Sequence, residues 1–431
     1  MSSSEFTKAA LAQAHPVAPK RSSYRAIVAT SLGNALEVYD FTVYSFFSAI
    51  IGKLFFPAAS PNASLLLSLA TFGAGFAIRP FGAVLIGLHA DRRGRKAALT
   101  LTIALMAAGT ALIGLIPTYA QIGIAAPILL VVGRLLQGLS AGGEIGVAST
   151  FLLESAALRR RCFYVSWQGA SQGASALLGA ATGAVLAATL STSELESYGW
   201  RIPFLIGLLI GPVGWVIRRQ LDETLVVGGE PPRAGRLIAE HGRTVALGAL
   251  MMMGSTASMY IMIFYMPTYM TTVLHMPRTL AFASVCASSA TILVTGPCFG
   301  WLGDRMKSRK TLPVISALIA LGMIFPTFLV LTQTHNVALI LALSVAIAVC
   351  MSMGYGAGGA LMLEGLPQAF RATGMSVIYS LGVTIFGGSA QFFVTWLIAK
   401  TGSPFAPAWY VFASLMVSLV AVMLYPRSRE V

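Results

Sequence analysis

Five ionisable side chains lie inside long apolar stretches of this sequence, where a charge is costly to bury. They are Glu37, Asp40, Arg79, Arg134 and Glu144. Charged residues at membrane depth mark, by default, a substrate or ion pathway. Glu37 and Asp40 are three residues apart, so a helix would turn both carboxylates toward one face. Two arginines at such depth can hold an anionic carboxylate through charge-assisted, often bidentate hydrogen bonds.

The chemistry that these charges suggest is the coupled binding of an acid and a proton. Neighbouring carboxylates disfavour simultaneous ionisation, so one of them can load a proton. We therefore assign Glu37, Asp40 and Glu144 to proton coupling, and Arg79 and Arg134 to substrate binding. An anionic substrate that binds an arginine would weaken the ion pair between that arginine and a carboxylate. The carboxylate would then be protonated more readily. The alternative is that the five charges only neutralise one another and lock the helices together.

The chain that positions these charges has the composition of an integral membrane protein. Of its 431 residues, 56% are hydrophobic and only 10% are charged, whereas soluble domains carry about 25% charged residues. Twelve apolar runs are each of a length that suits a spanning helix of about 20 residues. The predicted spans 1 to 12 cover residues 26–51, 64–88, 98–117, 122–152, 163–190, 200–217, 244–270, 279–302, 312–332, 337–362, 372–399 and 408–425.

The distribution of basic residues predicts the orientation of these spans. With both termini inside, the tails 1–25 and 426–431, the central loop 218–243 and the other inner loops carry 23 of the 29 Lys and Arg residues, against four on the opposite side. The positive-inside rule therefore predicts a multi-pass protein of the cell inner membrane with cytoplasmic termini. Residues 1–25 lack the apolar segment of a signal peptide and are expected to be a cytoplasmic tail.

The same observations limit the partners. The lipid bilayer accounts for the basic charge, and nucleic-acid binding would need a contiguous basic face with aromatic readers. The four cysteines form no CxxC pair, and no histidine has a neighbour at metal-ligand spacing, so we expect neither a metal nor a cofactor. No pairing of nucleophile and base and no phosphate-binding loop is found, so we expect no enzyme.

Two motifs recur at nearly one period and indicate a duplicated half. The segment 87–96 after span 2 recurs as 300–310 after span 8, 213 residues later. A Leu-Glu pair with an arginine seven residues beyond the glutamate follows spans 4 and 10, and its two copies are 210 residues apart. The halves are then 26–217 and 244–425, each a six-helix bundle. Parallel repeats of this kind occur in transporters that bind substrate near the midplane between the halves.

The motifs resemble those of a known family. Gly-x-x-x-Asp-Arg-x-Gly-Arg-Lys at 87–96 is similar to the signature of the major facilitator superfamily, and Arg134-Leu-Leu-Gln137-Gly138 to its second motif. Segments that look like its metabolite:proton symporter branch are 33–41, 79–82, 200–204 and 385–388. Within that branch, 166–172 and 267–269 look most like the citrate and tricarballylate carriers. The resemblance implies an all-α membrane protein with twelve transmembrane helices in two pseudo-symmetric six-helix bundles.

The resemblance also implies a cytoplasmic gate of charged and glycine residues between the halves. Its expected members are Gly87, Asp91, Arg92, Gly94, Arg95, Glu154, Arg161, Asp304, Arg305, Glu364 and Arg371. The second loop departs from the pattern, because Lys307 stands where the first copy has Gly94. The alternative is that the basic members only determine the topology.

Several polar residues within apolar runs are candidates to complete a substrate pocket beside the two arginines. They are Tyr39, Gln137, Gln168, Gln172, Tyr265 and Gln391. The alternative for any single one is an interhelical hydrogen bond or an interfacial anchor.

The function that the resemblance implies is uptake of a tricarboxylate, citrate or tricarballylate, together with protons by alternating access. The expected partners are therefore a small carboxylate, protons and the bilayer, and the protein is expected to function as a monomer. One alternative is proton symport of another small acid or of a zwitterion, such as α-ketoglutarate, shikimate, proline or betaine. Another is a proton-coupled efflux antiporter.

Overall fold

The computed structural model describes residues 23–58, 60–93, 95–142, 144–208, 234–334, 336–368 and 371–426. Within these ranges the chain is helical, and the helices α1 to α12 are numbered after the predicted spans. The first six are α1 (Ser23–Phe46 and Ser48–Phe55), α2 (Pro61–Ala77 and Arg79–Arg93), α3 (Arg95–Leu115), α4 (Ala125–Ala141 and Glu144–Glu154), α5 (Arg161–Thr189) and α6, described for residues 202–208.

The second half repeats this arrangement, with short π-helical turns inside two of its helices. Its members are α7 (Ala234–Met259, Tyr260–Tyr265 and Met266–Thr272), α8 (Arg278–Gly303), α9 (Thr311–Gln333), α10 (Val337–Glu364), α11 (Arg371–Val383, Thr384–Gly388 and Ala390–Thr401) and α12 (Ala406–Leu424). Helix α7 begins at Ala234, inside the predicted central loop, and is kinked at His241. The remainder of that loop lies outside the described residues, as do the two tails apart from 23–25 and 426.

Seven of the described helices are long and apolar enough to cross a membrane by themselves. They are Pro61–Ala83, Glu240–Thr272, Arg278–Gly303, Thr311–Gln333, Val337–Glu364, Arg371–Thr401 and Ala406–Leu424. Other spans are broken by a turn or carry polar side chains. Helix α1 is interrupted at Phe47 and contains Glu37 and Asp40, whereas α5 carries Gln168 and Gln172 on a side that is buried in the protein.

Local signals set several helix ends. The Ser60 side chain accepts a hydrogen bond from the Ala63 N–H, and Pro61 is the first residue of α2; both are favoured at a helix start. The Asn336 side chain caps α10 in the same way through the Leu339 N–H. Helix α11 ends at Gly402, whose φ of 68° is the left-handed conformation that glycine adopts without strain.

Close contact between α2 and α4 places the charged residues. The regular part of α2 is interrupted by a turn at Ile78, directly before Arg79, and the first segment of α4 ends at Ala141. A side chain at Gly142 would overlap the Arg79 carbonyl, and one at Gly138 would overlap the Gly75 carbonyl. These glycines therefore let the two helices approach at backbone distance, which is the usual basis of helix packing in membranes.

Candidate functional site

The first buried charge pair joins α1 to α2. Nη2 of Arg79 lies 3.6 Å from Oε1 of Glu37, and both side chains are 4% exposed. Arg79 is the first residue after the break in α2, so its guanidinium projects from the start of a new helical segment. The sequence predicted both residues at membrane depth, and the structure brings them together.

The second buried carboxylate reaches an arginine through two neutral side chains. The Thr110 hydroxyl on α3 donates to Oδ2 of Asp40. The Thr110 oxygen accepts from Nε2 of Gln137 at 3.0 Å, and Oε1 of Gln137 accepts from Nη1 of Arg134 at 2.8 Å. Asp40, Thr110, Gln137 and Arg134 therefore form one hydrogen-bonded chain across α1, α3 and α4. Thr110 is not among the predicted site residues, because a threonine within an apolar helix carries no signal of its own.

The two carboxylates have different partners, although they are close in sequence. Glu37 pairs with Arg79, whereas Asp40 interacts with Thr110 and Arg134. A spacing of three residues rotates two side chains about 60° apart on a helix, which is enough to turn them toward different neighbours. The sharing of one proton between Glu37 and Asp40 stays a prediction, and the contacts give each carboxylate an arginine of its own.

Aromatic rings enclose both guanidinium groups. Cζ of Arg79 lies 4.2 Å from the ring centre of Phe76 and 4.7 Å from that of Phe41. Cζ of Arg134 lies 4.7 Å from Phe41, 4.4 Å from Tyr44 and 5.0 Å from Phe72. Phe41 thus lies between the two cations, which gain from the negative face of each ring. None of these rings is among the predicted site residues, although Phe41 directly follows Asp40.

Both arginines have guanidinium N–H groups that no acceptor among the described residues satisfies. Among the described residues, no acceptor is within hydrogen-bonding distance of Nε of Arg79 or of Nε and Nη2 of Arg134. Arg134 is fully buried and Arg79 is 3% exposed. Buried donors without acceptors are rare in folded proteins and call for an explanation. An anionic ligand with more than one carboxylate has the acceptors that these positions need.

The C-terminal half contributes tyrosine hydroxyls to the same region. Tyr379 on α11 interacts with Arg79 and with Gln172 of α5. Nε2 of Gln172 donates to the Tyr355 hydroxyl on α10 at 3.3 Å. Tyr260, in the π-helical turn of α7, interacts with Arg79. The site therefore combines charges from the first half with neutral hydroxyls from the second.

Four predicted pocket residues form hydrogen bonds between helices elsewhere. The Tyr39 hydroxyl donates to the Pro203 carbonyl at 3.1 Å, and Nε2 of Gln168 donates to the Ser149 hydroxyl at 3.3 Å. The Tyr265 oxygen accepts from Thr395 at 2.7 Å, and Oε1 of Gln391 accepts from Ser45 at 2.9 Å. These contacts agree with the alternative interpretation, and a role in substrate binding stays a prediction for all four. The side chain of Glu144 lies outside the described part of the structure.

A network of ion pairs joins the two halves at one end of the bundle, which we call the basic end. Asp304 follows α8 and accepts the N–H groups of Cys162 at 2.8 Å and Phe163 at 2.9 Å, at the start of α5. Helix N-termini favour such carboxylates. Burial nevertheless raises the pKa of Asp304 above its usual range, against the opposing effects of these N–H groups and of Arg309.

Glutamate–arginine pairs complete the basic end. Nη1 of Arg161 lies 3.2 Å from Oε1 of Glu364, and Nε of Arg309 lies 3.6 Å from Oε2 of the same residue. Nη1 of Arg371 lies 3.6 Å from Oε1 of Glu154. Four of the expected gate residues therefore meet in two pairs that join the halves, Arg161 with Glu364 and Arg371 with Glu154. A fifth, Asp304, joins the halves through the N–H groups at the start of α5.

One expected gate residue is placed differently, and another arginine replaces it. Arg305 is exposed and lies over the ring of Trp301 on its own helix, with Cζ 3.4 Å from the ring centre, so it takes no part in the ion pairs of the described residues, and its role in the gate stays a prediction. Arg309 is 7% exposed and donates to Asp304 at 3.2 Å. Helix α8 ends at Asp304. Arg305, the next residue, therefore points outward, whereas Arg309, later in the same loop, returns to the ion pairs. The side chains of Asp91, Arg92 and Arg95, and the surroundings of Gly87 and Gly94, lie outside the described part of the structure.

The opposite end is closed by neutral contacts. The Ser45 hydroxyl on α1 is within reach of the Phe264 carbonyl at 3.0 Å and of Oε1 of Gln391 at 2.9 Å. The Ser48 and Thr268 hydroxyls are 3.2 Å apart. Phe264 belongs to the π-helical turn of α7, where the altered backbone pattern leaves a carbonyl available. The halves therefore touch at both ends, with the arginines enclosed between them.

Helical repeats around an enclosed cluster of charges define a multi-pass membrane transporter. A family model described as Major Facilitator Superfamily matches residues 30–385 and 250–431. Two curated relatives, from Salmonella typhi and Klebsiella pneumoniae, are each named citrate-proton symporter and are each 36% identical to this chain; the alignments cover 97% and 94% of it, and 97% and 92% of the relatives. This chain belongs to the Major Facilitator Superfamily.

Other matches agree on the family and the fold. A proline/betaine transporter of Salmonella typhimurium is 31% identical, with 92% of this chain and 82% of the relative covered. The crystal structure of a D-xylose-proton symporter matches with a TM-score of 0.72 at 17% identity, over 95% of this chain and 99% of that one. The E. coli xylose transporter in a partially occluded inward-open conformation matches with a TM-score of 0.74 at 17% identity, over 94% and 98%. The predicted twelve-helix fold is therefore confirmed.

Proposed function

We propose that this protein takes up citrate or a related tricarboxylate together with protons across the cell inner membrane. The observation that carries this proposal is the pair of enclosed arginines, Arg79 and Arg134, whose unpartnered donors suit a ligand with several carboxylates. The relatives named citrate-proton symporter support the same substrate class. A single protein copy supplies both arginines, so we propose that the monomer is the functional unit.

The basic end faces the cytoplasm in this proposal, together with both termini. The arginines of the α4–α5, α8–α9 and α10–α11 loops are at that end, as the positive-inside rule requires. The halves 26–217 and 244–425 move as units joined by the loop 218–243. Opening of the neutral contacts at Ser45 admits substrate from outside, and opening of the ion pairs around Glu364 releases it inside.

Proton coupling follows from the competition between carboxylates for the two arginines. Glu37 and Asp40 hold the arginines when they are charged and release them when they are protonated. A substrate carboxylate then replaces each lost partner, so protonation and substrate binding support each other. Each net positive elementary charge that moves toward a negative interior gains about 2.3 kcal/mol per 100 mV, and a tenfold concentration ratio costs about 1.4 kcal/mol.

Uptake by the purified protein in liposomes tests this function. We expect labelled citrate to accumulate when the inside is alkaline and the outside acidic, and external tricarballylate to compete. Replacement of Lys53 by Gln is a control, because the side chain of this lysine is 65% exposed beside Glu196 and its loss should leave uptake unchanged. Equal accumulation of citrate with and without the proton gradient would contradict the proposal.

A zwitterion is the second candidate substrate, because proline/betaine transporters are also among the relatives. Proline and betaine carry one carboxylate and a cation, so one arginine would be left without a substrate acceptor and a ring such as Phe41 would face the cation. Competition by proline or betaine in the citrate assay, and uptake of either compound alone, separates the two substrate classes. Net outward movement of substrate under the same gradient would favour an efflux antiporter.

A further inference from the structure

The Thr110 hydroxyl lies between a carboxylate and an amide in the interior of the first half. Thr110 is 2% exposed. Its single hydroxyl proton has two acceptors in reach: Oδ2 of Asp40 and, at 3.0 Å, the Met106 carbonyl of its own helix. Its oxygen accepts from Nε2 of Gln137 at 3.0 Å. Since a hydroxyl donates only one hydrogen bond, Thr110 must choose between Asp40 and Met106.

With Asp40 charged, every donor in the chain points the same way, from the cation toward the anion. Arg134 donates to Gln137, Gln137 donates to Thr110, and Thr110 donates to Asp40. Hydrogen bonds aligned in this way polarise and strengthen one another. The charge on Asp40 therefore strengthens the hold of Gln137 on Nη1 of Arg134.

A proton on Asp40 reverses the last link. The carboxyl O–H then donates to the Thr110 oxygen, and the Thr110 hydroxyl turns to the Met106 carbonyl. The aligned chain is broken, the Gln137 amide is less polarised, and its hold on Arg134 weakens. Among the described residues, the other charged or titratable groups that face Asp40 are Tyr39 on its own helix and Arg134 on α4, and Gly207 of α6 adds none.

We propose that Thr110 is a positioning residue that transmits the protonation state of Asp40 through Gln137 to Arg134. Protonation thereby frees Arg134 for a substrate carboxylate. This inference rests on the proposed proton-coupled uptake and assigns to one hydroxyl the part of the coupling that comes from Asp40. It requires neither a direct contact between Asp40 and Arg134 nor a contact between Thr110 and the substrate.

The test compares Thr110→Val, which keeps the shape and removes the hydroxyl, with Thr110→Ser, which keeps the hydroxyl. Thr150→Val is the matched control, because the buried Thr150 hydroxyl donates to the Gly146 carbonyl of its own helix at 2.8 Å. The citrate Kd of each purified protein is measured by calorimetry at several pH values, and proton uptake per citrate is measured with a pH dye. Citrate ionisation is common to all the proteins, so differences between them report the protein alone.

Full coupling to one proton changes the Kd about tenfold per pH unit. We expect Thr110→Val to take up about one proton fewer per citrate than the parent protein and to lose the corresponding change of about tenfold in Kd per pH unit, while Thr110→Ser and Thr150→Val keep the parental pH dependence. Thr110→Ala serves in place of the valine variant if the latter does not fold. The role of Thr110 would be overturned if the Kd of Thr110→Val depended on pH as in the parent protein, or if Thr110→Ser lost that dependence. Absence of citrate binding by the parent protein would instead refute the proposed function.

Discussion

Replacement of Glu364 by Gln should open the basic end of the transporter. The Glu364 side chain is 1% exposed and lies 3.2 Å from Nη1 of Arg161 and 3.6 Å from Nε of Arg309. Glutamine keeps the shape but removes the negative charge of Glu364 from both arginines, of which Arg309 retains Asp304 as a partner. Removing one partner of a fully buried ion pair costs about 3–5 kcal/mol.

The expected cost of Glu364→Gln to the closed state is smaller than this cost of a fully buried pair, because Arg161 and Arg309 are hydrated again when the basic end opens. Arg161 is already 12% exposed in the closed arrangement. We therefore expect a cost of about 2 kcal/mol to the closed state relative to the open one. At about 1.4 kcal/mol per factor of ten, the open population should rise about 25-fold.

Cys162 is a native reporter for this opening. It is fully buried, and its Sγ accepts a hydrogen bond from Nη1 of Arg309 at 3.2 Å. In a background with the other three cysteines replaced by serine, the rate of alkylation by a water-soluble maleimide follows the open population. We expect Glu364→Gln to raise that rate about 25-fold, in proportion to the population shift worked out above.

Lys53→Gln is the matched control for the loss of an ion pair. Lys53 lies 2.6 Å from Glu196, but its side chain is 65% exposed, and such pairs contribute about 0–1 kcal/mol. Its loss should leave the alkylation rate of Cys162 unchanged. If Glu364→Gln labels at the same rate as the parent, the ion pairs of Glu364 do not hold the basic end closed.

Two further variants test the opposite end and the coupling carboxylates. Ser45→Ala removes a hydroxyl with two acceptors, so we expect the closed state of this end to lose about 0.5–1.5 kcal/mol. A Ser48→Cys reporter should then react several-fold faster with a thiol reagent added outside. An unchanged rate would contradict a closing role for Ser45. The double variant Glu37→Gln with Asp40→Asn keeps the side-chain shapes and removes both charges. It should abolish accumulation driven by a proton gradient and retain citrate counterflow, and accumulation at the parental level would remove both carboxylates from the coupling mechanism.

Much of this architecture is determined by the sequence alone, because the bilayer acts on each residue separately. Twelve apolar runs and the repeated loop motifs indicated two six-helix halves, and the cost of charge in lipid marked Glu37, Asp40, Arg79 and Arg134. Neither inference requires knowledge of which helices are neighbours. The loop motifs also marked Arg161, Glu364, Arg371 and Glu154 as members of one charged network, although not which of them would pair.

Only the tertiary structure decided which groups meet. The turn of about 60° between Glu37 and Asp40 sends them to different arginines, and the identity of each partner depends on how α2, α3 and α4 pack around α1. Thr110 gains its place from that packing alone, and Arg309 replaces Arg305 because α8 ends at Asp304. Helix position in a membrane is a property of local composition, whereas the pairing of side chains depends on helix rotation and close approach, which no single segment encodes.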